Sequence, residues 1–307
     1  MTDNDGFIWL IGNKGMLGTE LSLLLEKHGL PFIGTDREID ITGMEALKTA
    51  VAKLAGKQPV KWIINCAAYT AVDKAEDDIE ACRGLNVQGA ANVAAIANNN
   101  AVSNSGKTRL IHISTDYVFD GNGDRPYRED DVTAPTGVYG LTKRDGETAV
   151  LKNNPRSYII RTAWLYGRHG NNFVHTMLRL MNERDEVKVV NDQRGSPTWT
   201  FDLASVILTL IKTVDSGKDI PFGIFHFTDE GNITWFDFAK EIYRQGREQG
   251  RITKDCAVNP CTSAEYPAKV KRPAYSVLEK SKIKTALGIN VPAWDESLKE
   301  FFKQCVN

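Results

Sequence analysis

The chain has 307 residues, room for one large domain or two moderate ones, with 42 % hydrophobic and 25 % charged residues. Lys and Arg number 38 and Asp and Glu 39, a formal net charge of −1, which excludes a global electrostatic attraction to nucleic acid or to an anionic membrane. No apolar run approaches the roughly 20 residues that span a bilayer, and the acidic start MTDNDGFIWLIG lacks the basic region of a signal peptide, so no membrane partner and a cytoplasmic location are expected.

The elements follow in chain order. Phe7–Ile11 is a short apolar run, as a strand buried on both faces requires. A helix runs through LGTELSLLLEKHG, with Leu17, Leu21, Leu24 and Leu25 on one face and Gly29 closing it. Pro31–Thr35 reads as strand two, GMEALKTAVAKLAGK as helix two with Gly56 as its stop, and Lys61–Asn65 as strand three. ACRGLNVQGAANVAAIANNN reads as a helix of small residues, and AIANNNAVSNSGK as the loop that leaves it. Arg109–Ser114 is strand four, Val138–Lys152 a helix and Ser157–Thr162 strand five. This alternation implies an α/β fold, a Rossmann-type doubly wound parallel sheet with helices on both faces. After about Gly167 the rhythm is lost and turn residues multiply, in GRHGNN, NDQRGSPTW, DEGNITW and VNPCTSAEYPAKVKRP. A helix over Phe201–Val214 and a strand over Gly223–Phe227 are expected to return to the main sheet. Residues 1–168 and 201–227 then form the sheet domain, and 169–200 and 228–307 a smaller C-terminal α/β region. Five cysteines, Cys66, Cys82, Cys256, Cys261 and Cys305, are odd in number and scattered, which fits free thiols better than a disulfide framework.

Gly12-x-x-Gly15-x-x-Gly18 leaves the first strand and opens the first helix. In that context glycines let the backbone approach a pyrophosphate, and the helix N-terminus supplies N–H groups and the positive end of its dipole. The spacing is GxxGxxG, not the commoner GxGxxG. The sheet domain is therefore expected to hold a dinucleotide and the C-terminal region the substrate. Asp36 ends strand two, where an acidic side chain meets adenosine ribose hydroxyls. Its carboxylate repels a 2′-phosphate and favours NAD, whereas Arg37 beside it can pair with that phosphate and admit NADP; a turn or helix-cap aspartate is the plainer alternative. Asp40 and Ile41 follow closely enough to frame an adenine.

Tyr139 and Lys143 stand one helical turn apart in VYGLTKRDGE, on one face of the helix. An ammonium there favours the ionised phenol and makes Tyr139 a proton carrier near neutral pH; a partly buried tyrosine beside an exposed lysine is the plainer alternative. With the glycine turn, the pair points to hydride transfer to or from a carbonyl. Ser114-Thr115-Asp116 leaves strand four at its carboxyl end, where ligands sit in such sheets, and either hydroxyl can bond a substrate carbonyl and steady oxyanion charge. The five histidines do not cluster and Cys256-x4-Cys261 is not a zinc spacing, so no catalytic metal is expected. Lys269, Lys271 and Arg272 can clamp a phosphate or lie in a solvated loop. Trp164 and Trp199 can stack on a sugar or base or belong to the core.

The chain resembles the extended short-chain dehydrogenase/reductases, and within them the dTDP-4-dehydrorhamnose reductases. The resemblance is carried over nearly the whole chain by GNKGMLG, INCAAYTAVDKAE, STDYVFDG, VYGLTK, RTAWLYG, NNFVHTMLRL, NDQRGSPT and KRPAYS. It implies Gly15, Met16 and Leu17 at the cofactor pyrophosphate, Asp36 at the adenosine ribose and Asp40 and Ile41 beside the adenine. It implies Ala67, Ala68 and Tyr69 on the nicotinamide side and Thr115, Asp116 and Trp164 at the substrate. Tyr139 would be the proton donor, with Thr115 tuning it and Lys143 binding the nicotinamide ribose and lowering the tyrosine pKa. The implied reaction is an NADH- or NADPH-dependent reduction, Asp36 tilting the choice toward NADH, of the C4 ketone of dTDP-4-dehydro-6-deoxy-L-mannose to dTDP-L-rhamnose. The implied partner is a small nucleotide sugar, with a homodimer among the expected assemblies. Cys66 stands where alanine is common in that family and Tyr69 where histidine is common. Two alternatives stay open: a non-catalytic regulatory subunit of the methionine adenosyltransferase β type, which shares the superfamily, and another nucleotide-sugar reductase, epimerase or dehydratase.

Overall fold

The computed structural model describes residues 6–55, 58–99, 108–266 and 268–304. Strand and helix alternate through β1 (Phe7–Ile11), α1 (Met16–Lys27), β2 (Phe32–Thr35), α2 (Met44–Ala55) and β3 (Val60–Asn65). Two short helices follow, α3 (Val72–Ala75) and α4 (Ile79–Arg83), and α4 runs through a π-helical turn, Gly84–Gly89, into α5 (Ala90–Ala97). Then come β4 (Arg109–Thr115), a 3₁₀ turn at Asp116–Val118, α6 (Val138–Asn153) and β5 (Ser157–Thr162). The remainder is β6 (Leu165–Tyr166), α7 (Phe173–Glu183), β7 (Glu186–Val190), β8 (Arg194–Gly195), β9 (Thr198–Trp199), α8 (Thr200–Asp215), β10 (Gly223–His226), β11 (Ile233–Thr234), α9 (Trp235–Glu248), β12 (Ala257–Cys261), α10 (Ser281–Leu287) and α11 (Trp294–Gln304).

Six strands form one wholly parallel sheet in the order β10-β5-β4-β3-β1-β2. The chain leaves β1 for the edge strand β2 and then crosses back past β1 to β3. The crevice at the carboxyl ends of β1 and β3 is therefore the point where strand order reverses, the usual ligand site of such sheets. Alternate residues of β1 face opposite sides. Ile8 and Leu10 pack with Leu21 and Leu25 of α1 and Leu203 and Ile207 of α8; Phe7, Trp9 and Ile11 pack with Leu47 of α2 and Val93 of α5. Both faces are apolar, which is why the strand reads as an unbroken hydrophobic run. Gly29 ends α1 in the left-handed region, at φ +63°, while the Gly29 and Leu30 N–H groups return to the carbonyls of Glu26 and Leu25, a Schellman closure.

As expected, α8 and β10 return to the main sheet. The expected loop AIANNNAVSNSGK begins too early: Ala95, Ile96 and Ala97 are still helical, because small residues pack α5 tightly against β3 and β4 to its last turn. Its residues 100–107, the Gly56 stop and Cys305 lie outside the described residues. Cys66, Cys82, Cys256 and Cys261 are free thiols.

The C-terminal region has its own core, rich in rings: Tyr166, Trp199, Phe238, Phe301 and Phe302 with Met177, Met181, Val187 and Val189. Parallel β7 and β12 pair over five residues, whereas the β8–β11 and β6–β9 ladders are two residues long. Helix α10 turns back to the sheet, with Ile283 and Leu287 in the core shared by α1 and α8.

Candidate active site

The glycines that leave β1 do three different jobs. Gly12 adopts φ +80°, and a methyl group there would sit 2.8 Å from the Ala67 nitrogen, so it makes the turn and lets the loop after β3 approach. A methyl group on Gly18 would lie 2.1 Å from the Gly12 carbonyl oxygen, so Gly18 permits the close contact of helix and strand. Gly15 would meet only that same oxygen, at 3.3 Å; it caps α1 without a side-chain bond and faces open space. The Met16, Leu17 and Gly18 N–H groups have no acceptor within the helix and are presented to whatever anion lies above them.

Two adjoining cavities share Gly15, Cys66 and Ala68 and form one groove, with volumes of about 670 Å³ for the outer part and 380 Å³ for the inner. Gly12, Asp36, Asp40, Ile41 and Ala67 line the outer part, together with Lys14 and Arg37. Asp40 is already engaged, since its Oδ1 accepts the Thr42 N–H and hydroxyl at 2.9 and 2.7 Å. Ile41 is buried beneath Gly89. The Asn65 Oδ1 accepts the Ala67 N–H at 3.1 Å and holds the turn after β3. A backbone cradle open at Gly15, a carboxylate at the end of β2 and an apolar Ile41 fit a dinucleotide.

Met16, Leu17, Gly18, Ser114, Thr115, Asp116, Tyr139, Lys143 and Trp164 meet at the inner part. Tyr69 does not join them: its hydroxyl donates to Asp78 at 3.2 Å and its ring packs behind Tyr139. Tyr139 is buried and lies edge-on to Tyr117, ring centres 5.5 Å apart. Burial raises the Tyr139 phenol above its ordinary range, and the hydrogen bond with the Thr115 hydroxyl opposes the rise. This is opposite in sign to the expected lowering by Lys143. The cause is burial, which Lys143 does not offset, since its ammonium is directed to the Ile113 carbonyl, 2.7 Å away. Burial pushes Lys143 itself down to about 8, opposed by the nearby Glu147 carboxylate.

Asp116 is pushed up to about 6 by burial; its Oδ1 accepts the Thr115 hydroxyl at 3.0 Å, while its Oδ2 is buried without a partner among the described residues. Burial likewise raises the Cys66 thiol to about 12 and holds His112 neutral. The Ser114 hydroxyl donates to Glu147 Oε1 at 2.5 Å. Of the two hydroxyls at the end of β4, Thr115 is thus the one that faces Tyr139.

Trp164 has φ +47°, the one non-glycine in the left-handed region among the described residues. Its indole stacks on Trp235 at 3.6 Å and 12°, an arrangement open only because a side chain at Gly195 would collide with the ring. Trp199 is 2 % exposed in the aromatic core and takes no part. Lys269 pairs with Asp77 and Arg272 with Asp73; Arg272 also reaches the Tyr117 hydroxyl at 3.5 Å, and Lys271 is exposed.

Several contributors carry no sequence signal. Asn86, in the π-helical turn, accepts the Tyr69 N–H at 2.8 Å and donates to the Tyr69 carbonyl and to Thr142 at 3.1 Å. Glu76 accepts the Val138 N–H at 2.8 Å and so caps the helix that carries Tyr139. Among the described residues no group of three or more His, Cys, Asp or Glu is placed to hold a metal, and no helix is long and apolar enough to cross a membrane.

Residues 7–307 match the model of the RmlD substrate binding domain family. The chain is 40 % identical over 294 residues to a dTDP-4-dehydrorhamnose reductase of Aggregatibacter actinomycetemcomitans, covering 94 % of this chain and 96 % of that protein. It is 43 % identical over 298 residues to the dTDP-4-dehydrorhamnose reductase of Streptomyces griseus, covering 96 % and 92 %. Among solved structures it is similar to the dTDP-4-dehydrorhamnose reductase of Bacillus anthracis in complex with NADP, with a TM-score of 0.87 at 34 % identity over 98 % of this chain and 99 % of that one. By sequence over its described length and by fold, the chain belongs to the RmlD substrate binding domain family.

Proposed function

We propose that this chain uses NADH or NADPH to reduce the C4 ketone of dTDP-4-dehydro-6-deoxy-L-mannose to dTDP-L-rhamnose, with Tyr139 as proton donor. The observation that carries the proposal is the meeting of Tyr139, Thr115 and Lys143 at the inner end of a groove whose outer end holds Asp36 and the open glycine turn. The activities named for the relatives support the substrate class, and the NADP bound to the Bacillus anthracis relative supports a nicotinamide cofactor.

A bound nicotinamide supplies the hydride equivalent. The remaining work falls to the chain. Gly15 and the first-turn N–H groups of α1 hold the pyrophosphate, Asp36 takes the adenosine ribose, Asp40 and Ile41 border the adenine, and Ala67 and Ala68 wall the groove toward the nicotinamide. Lys143 holds the ribose on that side. Thr115 orients the ketone oxygen, Asp116 bonds the sugar beside it and Trp164, braced on Trp235, packs against the ring. Tyr139 gives its proton to the oxygen as negative charge develops there. A phenol kept protonated by burial suits this direction, because it arrives loaded and releases its proton only to a strongly basic oxygen.

In this reading residues 1–168 and 201–227 hold the cofactor, the rest holds a small nucleotide sugar, and the enzyme works in the cytoplasm as a homodimer. Asp36 tilts the cofactor choice to NADH, while Lys14 and Arg37 at the same rim leave room for NADPH. An intact Tyr139, Lys143 and Thr115 and relatives named as reductases favour catalysis over a regulatory subunit.

The test is loss of nicotinamide absorbance when the purified protein meets NADH, or NADPH, and the enzymatically made ketone. Oxidation with dTDP-L-rhamnose as product is expected. Protein that binds cofactor but oxidises neither form would overturn the proposal.

A further inference from the structure

We infer that Glu147 is a positioning residue for Lys143 and for the end of β4; the inference rests on the catalytic reading above. Tyr139, Lys143 and Glu147 are spaced i, i+4, i+8 along α6 and share one face. That face meets the last three residues of β4. Lys143 Nζ donates to the Ile113 carbonyl at 2.7 Å, and the Ser114 hydroxyl donates to Glu147 Oε1 at 2.5 Å. The Thr115 hydroxyl, which donates to Asp116 Oδ1 at 3.0 Å, lines the same cavity as the Tyr139 phenol. Lys143 and Glu147 thus grip consecutive residues of β4, Ile113 and Ser114, next to Thr115 at the inner cavity.

Glu147 and its partner Arg161 are 5 % and 2 % exposed. The pair is bidentate, Arg161 Nε to Oε1 at 2.8 Å and Nη2 to Oε2 at 2.7 Å. The guanidinium lies over the Phe119 ring, 5.0 Å from its centre, within 3.4 Å of the Glu129 carbonyl and of His226 Nε2. A buried ion pair adds little stability over apolar residues of the same size, so its placement beside the reacting face is the informative feature. The titratable and charged groups around Lys143 are Tyr139 and Glu147 on its own helix, Arg161 of β5 behind Glu147, Cys66 after β3, Cys82 on α4 and His112 on β4. Asp116 and Tyr117 lie farther along, against Tyr139. Burial keeps Cys66, Cys82 and His112 neutral near pH 7, so Glu147 supplies the negative charge that opposes burial of the ammonium. Without it, burial acts on Lys143 unopposed and the lysine sheds its proton at lower pH.

The test uses Glu147→Gln and the double variant Glu147→Gln/Arg161→Met, which leaves no lone buried cation to unfold the chain. Two pH profiles are measured, NADH affinity by fluorescence titration and the rate of NADH oxidation with the ketone. In both variants the basic limb of both profiles should move down, by about one pH unit in Glu147→Gln and by less in the double variant, where a cation leaves with the anion, whereas Ser114→Ala should lower the rate severalfold without moving either limb. A double variant that melts like the parent, with both limbs unmoved and its rate lowered by the same factor at every pH, would make Glu147 structural only and overturn the inference. A parent that binds NADH but oxidises none with the ketone would overturn the catalytic reading, and the NADH-affinity profile would still decide the role of Glu147.

Discussion

Around the central sheet the core is laid down in register. Alternate residues of β1 go to opposite faces, and aliphatic stripes on α1, α8, α2 and α5 close over them. The C-terminal region is ordered differently. Its core is a knot of rings, with Tyr166 edge-on to Phe238 and Phe301, and Trp199 edge-on to Phe301, tied by the five-residue β7–β12 ladder and by ladders of two residues. In the first region local periodicity and tertiary contact say the same thing, so the site can be placed along the chain. In the second, α7, α9, α11 and β7 carry their own apolar faces, but the turns and short strands between them are placed by contact. The inner end of the groove reaches that second kind of structure at Trp164, which has a positive φ and stacks on Trp235.

The sharpest test of this division is Tyr139→Phe. It removes one oxygen from the sheet side of the groove and leaves the packing against Tyr117 and Cys82 unchanged. Turnover should fall about a thousandfold, within the usual range for general acid catalysis, while NADH affinity and the melting temperature stay with the parent. Steady-state kinetics beside a fluorescence titration give both numbers, and activity within tenfold of the parent would remove Tyr139 as donor.

Phe301→Ala probes the other region. The ring is 1 % exposed and touches Tyr166, Trp199 and Phe302, so truncation should cost about 3–5 kcal/mol. If the two cores are separable, melting followed by hydrogen exchange will show α9 and α11 opening first while the sheet still binds NADH. Simultaneous loss of both would make them one cooperative unit.

The same contrast explains what was legible in the sequence. The run Phe7–Ile11, the three glycines and the Tyr139–Lys143 spacing were readable because each is a local pattern with a local cause: burial on both faces, a tight turn, one helical face. The strand expected over Gly223–Phe227 forms as β10, Gly223–His226, at the edge of the sheet. The π-helical turn at Gly84–Gly89 was not readable, because nothing in GLNVQG departs from an ordinary helix until Asn86 meets Tyr69 and Thr142 in three dimensions. Nor was the sign of the Tyr139 shift: the i+4 rule places Lys143 on the right face but does not aim its ammonium, which goes to the Ile113 carbonyl. Tyr69, aligned by resemblance to the nicotinamide side, turns its hydroxyl to Asp78 instead.

At the outer rim of the sheet region, Asp36→Ala should shift the ratio of NADPH to NADH affinity toward NADPH by about tenfold, or about 1.4 kcal/mol. Lys14 and Arg37 are already there to meet a 2′-phosphate once the carboxylate is gone. Parallel titrations with the two cofactors measure it, and an unchanged ratio would refute the ribose role.

The smallest effect is expected at the seam between the regions. Asp202, in the first turn of α8, accepts the Ser297 hydroxyl of α11 at 2.7 Å, and Asp229 lies beside it as a second hydrogen-bond partner whose own carboxyl is raised by the Asp202 charge. Burial raises Asp202 to about 6 and Asp229 well above the ordinary carboxylate range. A carboxyl with a raised folded pKa binds its proton more tightly folded than unfolded. The stability it lends is complete below about pH 4 and is lost as pH rises through about 6. Asparagine mimics the protonated form at every pH, because its carbonyl still accepts from Ser297 and its amide can donate to Asp229. Asp202→Asn should therefore leave stability at pH 4 unchanged and raise it at pH 8. Two pKa units set a ceiling of about 3 kcal/mol; the dipole at the start of α8 and partial exposure already favour the charged form, so about 1 kcal/mol, or about 2–4 °C in melting temperature, is expected. Melting curves at the two pH values measure it. A gain at pH 4 equal to that at pH 8 would show that the substitution acts through packing and not through the proton, and the seam would then be apolar in character like the two cores it joins.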